Sequence, residues 1–166
     1  LTRPAQPWDH SVMLRDRWIW GRKTSSLTLQ WHLTNACELA CAHCYDRSKR
    51  GAPTLDEAER ILADLALFCR RRRVRARVCL TGGNPLRYPH FFEIYRAIAA
   101  RGIETSILGN PATGEELTEI VAISRPVYFQ VSLEGRREHN DSIRGAGHFD
   151  RVIAFLHLLR ERAVRS

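Results

Sequence analysis

The sequence predicts an α/β fold in which helices cover a parallel sheet, in the form of a partial (βα) barrel. Strand-like and helix-like segments alternate four times along the 166 residues, and such an order builds right-handed units with parallel strands. The strand-like segments are short and mostly apolar, as expected for a sheet covered by helices. The chain is 44% apolar and 27% charged, which is ordinary for one globular domain.

The first half of the chain contains two predicted strands and two predicted helices. Residues 27–33 form an apolar run typical of a strand. The capping box Thr54-Leu-Asp-Glu57 starts a helix over residues 55–68, whose apolar side chains recur at helical spacing. Residues 77–81 are a short second strand. Residues 89–100 form a second helix, which a proline opens and a glycine at position 102 ends.

The second half repeats this order. Residues 103–108 are predicted as a third strand and residues 114–124 as a third helix. A fourth strand follows over residues 126–133. The last helix covers residues 149–162, because its apolar side chains again recur at helical spacing.

A fourth parallel strand without a further partner leaves one edge of the sheet open. We therefore expect residues 27–166 to be the front part of a longer barrel-like core, truncated before its last strands. A self-contained open α/β domain is the alternative. Residues 1–26 are irregular and polar but contain three tryptophans, and they are predicted to form an N-terminal arm that packs on the core.

The charge of the chain and its short apolar segments limit the classes of function that the protein can have. The net charge is +8, and six arginines lie within residues 70–77. We interpret this run as an exposed helix end that complements the helix dipole, so a nucleic-acid partner is not expected. No segment reaches the roughly 20 apolar residues that span a membrane, and no signal peptide is evident. We therefore expect a cytoplasmic protein without membrane contact.

Three of the five cysteines lie within eight residues, at Cys37, Cys41 and Cys44. This spacing is unlike a disulfide framework and indicates a metal site with reduced thiols. Thiolates suit iron–sulfur clusters, zinc and copper(I). Three ligands without a nearby fourth cysteine predict a centre with one open position. Cys69 and Cys79 stand apart and are predicted to be small buried side chains.

Every predicted strand leads into a loop with small or polar residues. The first strand leads into the cysteine loop, and the second ends in Thr81-Gly82-Gly83-Asn84-Pro85. The third ends in Leu108-Gly109-Asn110-Pro111 and the fourth in Ser132-Leu133-Glu134-Gly135. Ligands in parallel α/β proteins collect at the carboxyl ends of the strands. These four loops are therefore predicted to surround one site.

These motifs resemble the radical S-adenosylmethionine superfamily, over roughly residues 27–160. The Cys37-x-x-x-Cys41-x-His43-Cys44 form, with Ser132–Gly135 and Asp141-Ser-Ile-Arg144-Gly, is similar to its peptide- and protein-modifying branch, which often carries a SPASM extension. The resemblance implies a barrel of six βα units, of which four are present. It also implies a [4Fe–4S] cluster that reduces S-adenosylmethionine and thereby generates a 5′-deoxyadenosyl radical.

The resemblance also implies roles for individual residues. Cys37, Cys41 and Cys44 would ligate three irons, leaving the fourth to S-adenosylmethionine. The implied cofactor-binding residues are His43, Gly82, Gly83, Asn84, Asn110, Ser132, Glu134 and Arg144. His43 would lie against the adenine and Arg144 would pair with the cofactor carboxylate. The backbone at the glycine pair would approach the cofactor amino group, where a side chain would collide.

Asn84 departs from the family pattern, in which the glycine pair is commonly followed by glutamate. An asparagine carbonyl still accepts a hydrogen bond from an ammonium group, but without the charge. The expectation is that Asn84→Glu keeps or tightens cofactor binding, and that another acid can compensate for the missing charge.

The implied partners are a peptide or protein substrate and an electron donor such as flavodoxin or ferredoxin. A tetrapyrrole- or cofactor-modifying enzyme is the rival within the superfamily. A non-enzymatic iron–sulfur carrier is the rival of another class, but it needs a fourth ligand within reach. A structural zinc site built from the cysteine loop is a further alternative, although adjacent His43 and Cys44 rarely reach one ion together.

Overall fold

The structure is a computed structural model that describes residues 25–46 and 51–166. The predicted N-terminal arm, apart from its last two residues, lies outside the described residues. In chain order the elements are β1 (Ser26–Thr34), α1 (Leu55–Arg72), β2 (Arg75–Gly82), a 3₁₀ turn (Pro85–Arg87), α2 (Phe91–Ala100), β3 (Glu104–Leu108), α3 (Gly114–Ile123), β4 (Phe129–Gln130), α4 (Arg137–Arg144) and α5 (His148–Glu161).

The four strands form one sheet in the order β1-β2-β3-β4, and every neighbouring pair is parallel. The predicted α/β class and strand order are therefore confirmed. Within the described part of the chain the sheet does not close on itself. The outer side of β4 is nevertheless engaged near the end of the chain, where the Phe129 N–H donates to the Arg165 carbonyl at 2.8 Å.

The capping box predicted for α1 is present in both directions. The Thr54 Oγ1 accepts from the Glu57 N–H at 3.3 Å, and the Glu57 carboxylate accepts from the Thr54 N–H at 2.8 Å. These contacts satisfy donors that the first helical turn leaves free. The first three arginines of the run lie in the last turn of α1, and Arg73 ends the helix in a left-handed conformation with φ of 56°. The interpretation as a helix end is therefore confirmed for these four arginines, whereas Arg75 and Arg77 lie in β2.

The hydrophobic core lies between one face of the sheet and the helices. Trp31 and Leu33 on β1 are buried, whereas His32 between them is only half-buried, as the two-residue period of a strand predicts. The completely buried side chains with the largest volumes include Tyr95 and Phe91 of α2. Cys69 and Cys79 are buried free thiols, as predicted. No helix within residues 25–46 and 51–166 is long and apolar enough to cross a membrane.

Two predicted elements have different bounds in the structure. The fourth strand contains only Phe129–Gln130 instead of residues 126–133, because the chain turns away at Ser132–Gly135 and Gly135 adopts a φ of +110°. The second helix begins at Phe91 and not at Pro89, since residues 85–87 first form a 3₁₀ turn.

Helix α4 was not predicted from the sequence. It is almost entirely polar, and Asn140 is its one buried residue. An apolar period therefore gives no signal over this segment.

Candidate active site

A cavity of about 720 Å³ lies at the carboxyl ends of the strands. Of the residues predicted for the site, nine line this cavity: Cys37, Cys41, His43, Cys44, Gly82, Gly83, Asn110, Ser132 and Arg144. The two others, Asn84 and Glu134, lie behind it. Side chains that the sequence prediction did not select, including Gln30, Tyr45 and Gln130, complete the wall. The predicted convergence of four loops on one site is therefore seen in the structure.

The three cysteines of the loop after β1 are free thiols at the cavity. A tight turn brings them together, in which the Cys44 N–H donates to the Cys41 carbonyl at 3.1 Å. Burial raises the pKa of Cys41 above its usual value, the nearby Arg144 opposes this, and the charges of Cys37 and Cys44 raise it further. All three cysteines line the same cavity.

No three His, Cys, Asp or Glu side chains in the described residues are gathered closely enough to hold a single metal ion. A cluster does not require such convergence, because each thiolate binds a different iron. The donor set, three thiols around a cavity with room beside them, fits a [4Fe–4S] cluster and a small-molecule ligand.

Glycine is required at the end of β2 by the protein's own backbone. A Cβ atom at Gly82, whose φ is +127°, would lie 2.2 Å from the Thr34 carbonyl oxygen. A Cβ atom at Gly83 would lie 2.4 Å from the Ala36 carbonyl oxygen. The Gly83 N–H instead donates to the Thr34 carbonyl at 2.7 Å. The glycine pair thus lets β2 pack directly on the start of the cysteine loop.

Arg144 and Glu134 form an ion pair beside the cysteines. The Arg144 Nε donates to Glu134 Oε1 at 2.9 Å, and this pairing holds the pKa of the Glu134 carboxyl below its usual value. His43 Nε2 lies 3.3 Å from the same oxygen. Arg144 Nη1 is 3.9 Å from the Cys41 sulfur. The arginine therefore places positive charge at the cluster loop while Glu134 orients it.

Asn110 contacts the cysteine loop directly. Its Nδ2 donates to the Cys37 sulfur at 3.4 Å, and its side chain is nearly buried. Ser132 is exposed and also lines the cavity.

Asn84 is completely buried and is turned away from the cavity. Its Nδ2 donates to both carboxylate oxygens of Glu38, at 2.9 and 3.1 Å. Glu38 follows the first cysteine of the loop, and the sequence prediction did not select it. Nothing in the local pattern signals this contact, because the two residues are 46 positions apart.

A second set of polar residues supports the Arg144 side of the cavity. The buried Asn140 accepts from the Glu134 N–H at 3.1 Å and donates to His148 Nδ1 at 3.1 Å. The Ala42 N–H donates to the Ile143 carbonyl at 2.9 Å, which ties the cysteine loop to α4. Sequence reasoning missed the roles of Asn140 and His148, and it missed the helix α4 that carries Asn140.

Comparison with known proteins agrees with this geometry. The family model of the Radical SAM superfamily matches residues 31–166. The chain belongs to the radical SAM superfamily. Enzymes of this superfamily use a [4Fe–4S] cluster and S-adenosylmethionine, and the thiol set and cavity described above suit both.

Individual relatives cover most of this chain. It is 35% identical over 133 residues to mycofactocin maturase MftC of Mycobacterium tuberculosis, covering 78% of this chain and 33% of MftC. It is 34% identical over 143 residues to AdoMet-dependent heme synthase of Methanosarcina barkeri, covering 80% of this chain and 39% of that enzyme. The chain thus spans about a third of the length of these relatives.

Solved structures confirm the fold. SuiB of Streptococcus suis, in a crystal structure with the precursor peptide SuiA, matches with a TM-score of 0.65 and 24% identity, over 92% of this chain and 34% of SuiB.

Proposed function

We propose that the protein is a radical S-adenosylmethionine enzyme that modifies a peptide or protein substrate. The observation that carries this proposal is the set of three free thiols, Cys37, Cys41 and Cys44, at one cavity formed by the ends of four parallel strands. The two remaining described cysteines, Cys69 and Cys79, do not line this cavity. Three protein ligands leave one iron for the cofactor, whereas an electron carrier needs a complete set.

In this proposal Cys37, Cys41 and Cys44 hold the [4Fe–4S] cluster. The cluster and its bound cofactor supply the reductive cleavage that yields a 5′-deoxyadenosyl radical. Seven residues bind or orient the cofactor in the cavity: His43, Gly82, Gly83, Asn110, Ser132, Glu134 and Arg144. Asn110 donates to Cys37, and Arg144 sets positive charge beside Cys41. These contacts place a hydrogen-bond donor against one cysteine sulfur and a positive charge near another.

Arg144 is the proposed partner of the cofactor carboxylate. It lines the cavity, and its side chain is only 12% exposed. Glu134 binds its Nε and Nη2, so the guanidinium is held in one orientation before any ligand arrives. Preorganised charge of this kind costs little ordering on binding.

Two relatives favour different substrates. MftC carries the name of a maturase, and SuiB was crystallised with a precursor peptide, which supports peptide or protein modification. The similar identity to AdoMet-dependent heme synthase favours a tetrapyrrole as the second candidate. Incubation of the reduced enzyme with a co-expressed peptide or with an iron porphyrin, followed by mass spectrometry, distinguishes the two.

The cleavage needs one electron per turnover, and we propose a flavodoxin or ferredoxin as its source. The free thiols suit a reducing compartment, so we place the enzyme in the cytoplasm.

Mutation of one proposed ligand tests the cluster assignment. After anaerobic reconstitution the whole protein should be brown and, with reductant and S-adenosylmethionine, should form 5′-deoxyadenosine. Cys41→Ala should lose most of the bound iron and all of this product, because one of three thiolates is gone. Cys69→Ala is the matched control, since Cys69 lies in α1 away from the cavity. Persisting cleavage in Cys41→Ala, or a colourless wild type with stoichiometric zinc, would refute the assignment.

A further inference from the structure

The cysteine loop is bonded to the end of β2 through side chains as well as backbone. The backbone bonds run from the Gly83 N–H to the Thr34 carbonyl at 2.7 Å and from the Asn84 N–H to the Ala36 carbonyl at 2.8 Å. The side chain of the same Asn84 donates to the carboxylate of Glu38, two positions beyond Ala36. These contacts lie in a row that leads from β1 to the residue after Cys37.

Both polar ends of the Asn84 side chain are used within the protein. Its Oδ1 accepts from the Leu86 N–H at 3.3 Å and caps the 3₁₀ turn, while its Nδ2 donates to Glu38. The side chain is completely buried. It is therefore held in one orientation, with its donor directed at the cysteine loop.

The Glu38 carboxylate also has a cationic neighbour. Arg87 Nε lies 3.8 Å from Glu38 Oε2, and Arg87 in turn pairs with Glu116 at 2.9 Å. Glu38 is 41% exposed and is absent from the cavity wall. Its contacts attach the loop to the structure behind the cavity and leave the cavity itself free.

We infer that Asn84 is a positioning residue that holds the cysteine loop in place through Glu38. This inference rests on the proposed function, since it assigns the loop to a cluster. It accounts for the asparagine and argues against the expectation that Asn84→Glu keeps or tightens cofactor binding. An acid at position 84 would face the Glu38 carboxylate at hydrogen-bond distance, and two like charges there repel each other. An amide is attracted to the same carboxylate.

Exchanging the two groups tests the contact. Asn84→Asp should repel Glu38, whereas the double variant Asn84→Asp with Glu38→Gln restores an amide–carboxylate hydrogen bond in the opposite direction. Glu38→Gln alone keeps an acceptor oxygen and should have a small effect. Glu115→Gln is the matched control, because Glu115 is an exposed residue of α3 outside the cavity wall.

The first readout needs no cluster. Hydrogen exchange of residues 35–46 in the metal-free whole protein should be faster by about tenfold in Asn84→Asp, as expected for loss of a hydrogen bond to a charged group. The double variant should return to within about twofold of wild type. The second readout is the electron paramagnetic resonance signal of the reduced, reconstituted cluster, which should broaden or weaken in Asn84→Asp and recover in the double variant.

The outcomes separate the inference from the proposed function. Unchanged loop exchange in Asn84→Asp, or a double variant no better than it, overturns the inference. If Asn84→Asp fails to fold, Glu38→Ala tests the same contact from the exposed side: it should speed loop exchange with an unchanged melting temperature, and unchanged exchange overturns the inference. If the double variant recovers slow loop exchange but the wild-type protein binds no iron after reconstitution, the Asn84–Glu38 contact is upheld and the proposed cluster is rejected.

Discussion

Gly83→Ala is predicted to displace the cysteine loop. The added Cβ would lie 2.4 Å from the Ala36 carbonyl oxygen and 2.7 Å from the Asn35 carbonyl oxygen. Both distances are below 3.0 Å, a separation below which Cβ contacts are essentially never found in proteins. Every close atom belongs to backbone, so no side chain can rotate away. The φ of Gly83 lies outside the left-handed region, so the contact alone is tested, without backbone strain.

The cost follows from packing and from the bonds next to the clash. Inserting a methyl group into a filled space costs about 1 to 3 kcal/mol. The displacement also weakens the Gly83–Thr34 and Asn84–Ala36 backbone hydrogen bonds, each of which contributes about 1 kcal/mol. We expect Gly83→Ala to lower the free energy of unfolding by about 2 to 4 kcal/mol, a large share of the 5 to 15 kcal/mol typical of a domain.

Urea unfolding measures this loss. With a slope of about 2 kcal/mol per molar, the midpoint should fall by about 1 to 2 M. Gly114→Ala is the control, because a Cβ atom there meets nothing within 4 Å and the residue lies at the start of α3. Its midpoint should stay or rise slightly. Equal midpoints for the two variants would refute the packing argument.

Two further predictions concern stability. Burial lowers the pKa of His148 below its usual 6.5, and the charges of Arg144 and Arg151 lower it further. The unfolded chain then binds more protons, so the free energy of unfolding is at its full value above about pH 6.5 and decreases as the pH falls toward the folded-state pKa. Urea midpoints measured between about pH 5 and 7.5 should show this decrease. A His148→Gln variant with the same pH dependence would contradict the prediction. Thr113→Ala removes a capping box and should cost about 1 kcal/mol in thermal unfolding. Thr118→Ala, on an exposed turn of the same helix, should cost less, and an equal loss would argue against the cap.

Local patterns predicted most of the fold. The Thr54–Glu57 capping box and the apolar period of α1 act within a few residues of each other, so they are readable from the sequence and are present in the structure. The length of β4 was overestimated, since only contacts with β3 and with Arg165 define where pairing stops. Helix α4 has a polar sequence whose stability depends on Asn140 and Asp141 contacts with residues further along the chain.

The candidate site shows the same division. The strand-end loops predicted which residues meet, and nine of the eleven predicted residues line one cavity. The direction of individual side chains was not predictable. The resemblance assigned Glu134 to the cofactor, and only the structure shows that its carboxylate binds Arg144 and approaches His43.

By itself, the sequence determined the class of chemistry and the order of the strands. Three thiols at short spacing and apolar periods of two or 3.6 residues are local properties of a chain. Only the tertiary structure decided that the glycines accommodate the carbonyls of Thr34 and Ala36, and that Asn84 faces Glu38 and not the cavity. The physical reason is that these contacts join atoms far apart in the chain. Their distances depend on how the sheet brings its loops together.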